Sequence, residues 1–376
     1  MKFKAVSGIM LALLFVGMLA FTSNTQPVKA SGTIYIKADG SVDPPTANIT
    51  SPDNVTYTFT GNINDSIVVE RSDIIVDGNE YTLQGYGSGD GINIKSNNVT
   101  IQNMKIKGFN NGVYISSATK NNSVFGNIIV NNTHGIETYT LSSDSEISGN
   151  TIANNSYGIY FMRSFNSTIS DNNITDNTYG VYFHQDSSNN LVSGNNITKN
   201  SQGIIIIQNE FNNISKNYIT KSSSYGVNIG NLCSHSIVFC NNVTNNIIGV
   251  KLSGNNNTVS SNNITNNLYG VDLVNSGSNN IVSGNTIANN SGGILLRWSS
   301  NACTIFSNNI KNNSRGIYIN ESANNTIYHN NFIDNTDACM PCFLSVLFFF
   351  PFSELPFIFF LPFLSTSFSN FIKSIQ

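Results

Sequence analysis

From residue 67 onward, apolar and polar positions alternate in short pieces such as Gly180-Val-Tyr-Phe183 and Val192-Ser-Gly-Asn-Asn-Ile197. Alternation with a period of two sends every second side chain to the same face, the mark of a half-buried strand. Pieces of this length are strands rather than helices. They also recur. A Gly followed by a β-branched residue stands at Gly91, Gly112, Gly135, Gly158, Gly180, Gly203, Gly226, Gly249, Gly270, Gly293 and Gly316, in steps of 21 to 23 residues. A second series keeps phase with it, each member three residues after a strand Ile or Val: Asn127, Asn150, Asn172, Asn195, Asn217, Asn241, Asn262, Asn285, Asn308 and Asn330.

A fixed period of this size is the signature of a solenoid. Twenty-three residues cannot hold a strand and a long helix, but they fit three short strands with tight turns, one coil of a parallel β-helix. A leucine-rich horseshoe has a similar period, and its Leu positions are absent here. The prediction is an all-β parallel β-helix of about eleven rungs over residues 67–336. Residues 31–66, with a strand-like Thr33-Ile-Tyr-Ile36 and a Pro44-Pro45 turn, are expected to cap the first rung, whose open edges would otherwise invite aggregation. Stacked rungs place each residue about 4.8 Å above its counterpart. Asn then falls on Asn, so side-chain amides can donate and accept along the stack. The anchor glycines are expected to supply φ > 0 in a turn, and the aliphatic residue after each to fill the core.

The repeat text Asn-X-Ile-X-X-Asn-X-X-Gly-Ile, as in Asn172-Asn-Ile-Thr-Asp-Asn-Thr-Tyr-Gly-Val181 and Asn285-Thr-Ile-Ala-Asn-Asn-Ser-Gly-Gly-Ile294, resembles the parallel β-helix repeat proteins of the carbohydrate-binding and sugar-hydrolase type, and within them the NosD-like proteins. Ile74-Ile-Val-Asp-Gly-Asn-Glu-Tyr-Thr-Leu83 is similar to the family's opening rung. The likeness covers about residues 67–335. It implies a right-handed coil and is specific for fold, not for activity. It also implies three functional directions: sugar binding, polysaccharide cleavage, and, through NosD-like relatives, maturation of a copper enzyme.

Composition narrows the partners. Charged residues are 10% of the chain and the net charge is -3, with 18 Lys plus Arg and no basic run. Nothing here suits nucleic acid or anionic lipid. Lys2 and Lys4, the apolar run Ile9 to Phe21 and a close at Val28-Lys29-Ala30 read as a cleaved signal peptide over 1–30, since that run falls short of the roughly 20 residues that span a bilayer. The expected location is secreted or at the cell surface, periplasmic in a two-membrane cell. Sequons such as Asn48-Ile-Thr50, Asn98-Val-Thr100 and Asn263-Ile-Thr265 then become glycosylation candidates. Five cysteines do not make a disulfide framework for so long a chain. Cys233 and Cys240 either pair or remain as buried thiols.

After Asp337 the pattern gives way to a Gly-free tail, 337–376, holding eleven of the 24 Phe. Its apolar run is long enough to cross a bilayer, while Pro351, Glu354, Pro356 and Pro362 oppose that. The other reading is a shifted reading frame. A membrane is a partner only if the tail is a genuine anchor.

For chemistry, the signatures of β-helix lyases and polygalacturonases are missing: there is no Asp-Asp pair, Gly-His-Gly or Arg-Ile-Lys. His134, His184, His235 and His329 fall in different rungs, so no metal site or cofactor is expected. The residue two after each anchor Gly should point outward. In that column Tyr160 and Tyr182 stack on adjacent rungs, with Met162, Arg163, His184 and Asp186 beside them. Tyr160, Arg163, Tyr182, His184 and Asp186 form the candidate carbohydrate site, and Arg297 with Trp298 a smaller one. The expectation is a non-catalytic scaffold that binds glycan or neighbouring surface proteins. A polysaccharide lyase or glycoside hydrolase is the first alternative and a copper-enzyme accessory protein the second.

Overall fold

The structure, a computed structural model, describes residues 32–342. The expected signal peptide and most of the Phe-rich tail lie outside the described residues. Each rung contributes one strand to each of three sheets. In one rung these are Thr168–Ser170 in sheet B, Asn173–Thr175 in sheet C and Tyr179–His184 in sheet A. Sheet A has 15 strands, sheet B 14 and sheet C 12. The result is a right-handed parallel β-helix of about 12 turns. Among the described residues no helix is long and apolar enough to cross a membrane.

Inward positions are filled by the aliphatic residues that the alternation marks. Ile159, Val181 and Ile204 under sheet A, Ile169 and Val192 under sheet B, and Ile174 and Ile197 under sheet C are all fully buried. Each contributes about 1.5–3 kcal/mol by leaving water. Phe161 and Phe183 stack inside sheet A with centroids 5.0 Å apart. At the start of the rod Thr33–Ile36 pairs in parallel with Ser66–Val69 and antiparallel with Val42–Asp43. Tyr57 and Phe59 are buried there, and the Tyr57 hydroxyl donates to the Gly40 carbonyl at 2.8 Å.

The asparagine series forms the expected ladder. Asn195 is typical: its amide donates to Asn217 Oδ1 at 3.0 Å, and its own Oδ1 accepts from the backbone N and the Nδ2 of Asn172, both at 3.0 Å. A second ladder, not foreseen, runs five residues later through Asn132, Asn155, Asn177 and Asn200 and again through Asn246, Asn267, Asn290, Asn313 and Asn335. Ser222 interrupts it, donating its backbone N–H to Asn246.

Two expectations need correction. The anchor glycines do not take up positive φ; they are small because the next rung passes over them. A Cβ on Gly180 would sit 2.6 Å from the carbonyl oxygen of Gly203, and Gly203 faces Gly226 at 2.4 Å. The left-handed positions are instead the residues just before each ladder Asn, such as Asp171 (φ 55°), Asp176 (φ 56°) and Lys216 (φ 57°). The repeats also run past 336, because Asp337–Cys342 pairs in parallel with Arg315–Asn320. Cys233 is buried and Cys240 exposed, and both are free thiols.

Candidate functional site

Three columns of side chains point out of sheet A: those one residue before, two after and four after each anchor Gly. The sheet register aligns them rung on rung, Tyr157 with Tyr179, Tyr160 with Tyr182, and Met162 with His184. Tyr157 and Tyr179 stack with centroids 4.8 Å apart and planes at 12°, and Tyr160 and Tyr182 at 5.5 Å and 11°. His134 stacks on Tyr157 at 4.9 Å, and His184 on Tyr182 at 5.8 Å. The Tyr160 hydroxyl lies 3.3 Å from His184 Nδ1.

Stacking along the rod uses the ring faces against one another. What remains for solvent is a row of ring edges with phenol hydroxyls and imidazole nitrogens, which suits hydrogen bonding to hydroxyls better than face stacking on a sugar. Burial, and then the neighbouring Tyr182, push the Tyr160 hydroxyl up to about 12, so it stays a neutral donor at any ordinary pH.

Beside the tyrosines lies a polar chain that sequence reading missed. Asp90 accepts from Asn93 Nδ2 and from Asn111 Nδ2, both at 2.9 Å. With its Nδ2 facing a carboxylate, Asn111 must turn Oδ1 toward His134, whose Nδ1 lies 2.9 Å away. His134 therefore donates from Nδ1 and keeps Nε2 as an acceptor. Burial lowers its pKa. Glu137, 3.8 Å from the same ring nitrogen, is only 13% exposed. Burial first, and then the charge of Asp90, push its carboxyl up to about 7. Among the described residues neither acid has a Lys or Arg ion pair, whereas Asp272, a buried acid of this face, is held by Arg297 at 3.0 and 2.5 Å.

Of the five residues expected to form the carbohydrate site, the structure brings Tyr160, Tyr182 and His184 together. Arg163 and Asp186 are exposed at the corner beyond the strand, both with left-handed backbone (φ 52° and 53°). Outward does not mean exposed on this face: Ile205, Asp272 and Leu295 share the Tyr160 column and are 1%, 1% and 4% exposed. His134, Tyr157 and Tyr179 precede their anchor glycines, and the same alternation that marks the Tyr160 column would have found them. Two shallow grooves follow the corners of the rod, one near Asn154, Asp176 and Lys199 and one near Leu141 and Phe165. Neither is lined by the tyrosines.

Among the described residues no three His, Cys, Asp or Glu side chains come together in a way that could hold an ion. Burial pushes the Cys233 and Cys303 thiols up to about 11, which disfavours the thiolates that soft metals need.

Solved structures with the same fold include the Dettilon tailspike protein (16% identity, TM-score 0.51, 72% of this chain and 62% of that one). The A-module of the Azotobacter vinelandii mannuronan C-5 epimerase AlgE4 matches at 14% identity and TM-score 0.50, over 82% of this chain and 89% of that one. DFA-IIIase from Arthrobacter chlorophenolicus A6 matches at 13% and 0.51, over 79% and 83%. The chain thus spans about three fifths of the tailspike's length, and these likenesses concern fold alone. No curated protein matches it in sequence. The profile of the family described as periplasmic copper-binding protein (NosD) matches residues 20–202 and 192–341, nearly the whole rod and more than half of the chain, and the protein belongs to the NosD family.

Proposed function

We propose that this protein is an exported, non-catalytic β-helix rod, secreted, at the cell surface or periplasmic, that binds carbohydrate along the outward face of sheet A. The observation that carries the reading is the double ladder of Tyr157 with Tyr179 and Tyr160 with Tyr182, closed by His134 and His184. It offers hydroxyl and imidazole groups at the rung spacing of about 4.8 Å, in register along one parallel sheet, an arrangement suited to an extended chain. Hydrogen bonds of this kind fix orientation and specificity. Glycan-array binding that disappears when Tyr160→Ala and Tyr182→Ala are combined supports the reading; binding unchanged by that pair rejects the site.

One observation favours a second reading, a polysaccharide lyase or glycoside hydrolase. A carboxyl near 7 beside an imidazole with its Nε2 free is the kind of pairing that general acid–base catalysis uses. Assays for new reducing ends and unsaturated products on a polysaccharide panel, with and without calcium, separate the two. Product formation abolished by Glu137→Gln would replace the scaffold reading. The copper role in the family's description finds no convergent ligand set in the described residues, and no step here passes through a metal.

A further inference from the structure

Trp298, the one tryptophan of the chain, occupies the corner between sheets A and B with φ of 53°. By register the same place holds Asn275 one rung earlier and Glu321 one rung later, also left-handed. Asn suits that backbone; a bulky aromatic there is an outlier, and Ser299 after it is left-handed too (φ 64°). The corner geometry belongs to the repeat; what is particular to this rung is the aromatic side chain it turns outward.

The surroundings here are specific. Asp272, 1% exposed, binds Arg297 through Nε and Nη2. The guanidinium so fixed lies 5.3 Å from the Tyr269 ring centroid and 4.8 Å from that of Trp298. Arg297 therefore braces the indole, while Trp298 remains 49% exposed. Because Asp272 neutralises the guanidinium, the platform is rigid and aromatic without offering a free cation. Exposed Glu321, Asn275 and Ser276 flank it with hydrogen-bonding groups.

We propose that Trp298 is a stacking subsite for a neutral pyranose, the apolar ring face lying on the indole and the hydroxyls turned to the flanking polar groups. The proposal extends the carbohydrate reading above and rests on it for the ligand class. Here the sugar meets a ring face, which the tyrosine ladder lacks. Five rungs, about 24 Å at 4.8 Å each, separate the Tyr182 and Trp298 rungs, so one oligosaccharide laid along the rod reaches both.

A single tryptophan makes its emission a reporter of this corner alone. The full chain is titrated with cellohexaose, mannohexaose and hexagalacturonate. The expected result is a saturable change of emission, with protection from acrylamide quenching, for a neutral probe and at least tenfold weaker binding of the galacturonate. Trp298→Ala is expected to weaken calorimetric binding of the same neutral probe at least tenfold with an unchanged melting midpoint, and Trp298→Phe to restore part of it. No emission response to any probe, or preference for galacturonate, overturns the subsite. So does an emission that depends on protein concentration together with a dimer in sedimentation, because a second copy then covers the indole. If the Tyr160→Ala, Tyr182→Ala pair abolishes binding while Trp298→Ala does not, the tyrosine site stands and this one falls; the reverse result removes the tyrosine site alone.

Discussion

Replacing Asn195 by Leu tests whether the ladder holds the rod together or merely decorates it. Asn195 is 1% exposed. Its Nδ2 donates to the carbonyls of Ile169 (2.9 Å) and Ser193 (3.1 Å) and to Asn217 Oδ1 (3.0 Å). Most partners have a second bond to fall back on. Asn172 Nδ2 keeps Ile147 and Ser170, and Asn217 Oδ1 keeps the backbone N–H of Asn195. The backbone N–H of Asn172 loses its acceptor and stays buried. One orphaned donor costs about 1–3 kcal/mol, and each net bond lost about 1 kcal/mol more. Leucine returns roughly 1.5–3 kcal/mol of burial, so with five bonds removed the net loss is about 2–5 kcal/mol. Urea unfolding followed by circular dichroism should show a lower midpoint at similar slope, or a separate early transition if the rungs on either side of 195 uncouple. Asn196→Leu, one residue on and exposed, is the control, expected within about 0.5 kcal/mol of the parent. Equal midpoints for the two variants would refute the ladder argument.

Other perturbations address packing and charge. Gly180→Ala should destabilise by about 1–3 kcal/mol, since its Cβ meets the Gly203 carbonyl at 2.6 Å; a melting midpoint equal to the parent's would mean the rung spacing can open. Burial raises the Glu137 carboxyl from 4.5 to about 7 in the folded state. Its contribution to stability is therefore full below about pH 4.5, falls by about 3 kcal/mol as pH rises through 7, and is flat above. Glu137→Gln should flatten that window and melt higher than the parent at pH 8 but not at pH 4. Arg297→Ala should cost about 3–5 kcal/mol by stranding the buried Asp272 carboxylate, and Asp272→Asn in the same chain should recover part of it; no recovery would place the loss in packing instead.

Much of the fold was legible because the repeat averages away local ambiguity. One Gly-Ile pair says little, whereas eleven in phase admit few geometries. The glycine argument was legible as to position and not as to cause: the approach of the Gly203 carbonyl to Gly180 depends on the register between rungs, which no single rung contains. The second ladder stood in the repeat text itself, at Asn177 and Asn290, but buried amides look like turn asparagines until the corner is built. Of the candidate site, Tyr160 and Tyr182 followed from one outward column and His184 from the outward position two residues further along the same strand. Glu137 stands in the Tyr160 column and His134 in the column beside it, and the Asn111 bridge between Asp90 and His134 is a contact across rungs that alternation alone cannot show.

The ladder also gives the rod a direction. Every side-chain amide link from one ladder Asn to the next runs the same way, donor on the earlier rung and acceptor on the later, from Asn127 to Asn150 and onward to Asn308 and Asn330. Any whole rung carrying the two asparagines and the anchor glycine thus presents the same donor face to the rung after it and the same acceptor face to the rung before it. Such a unit can be removed or duplicated in frame without leaving an unmatched donor, whereas a reversed unit would set donor against donor at one junction and acceptor against acceptor at the other. The molecule is built as a vector with interchangeable segments, so its length is free to vary while its polarity is not.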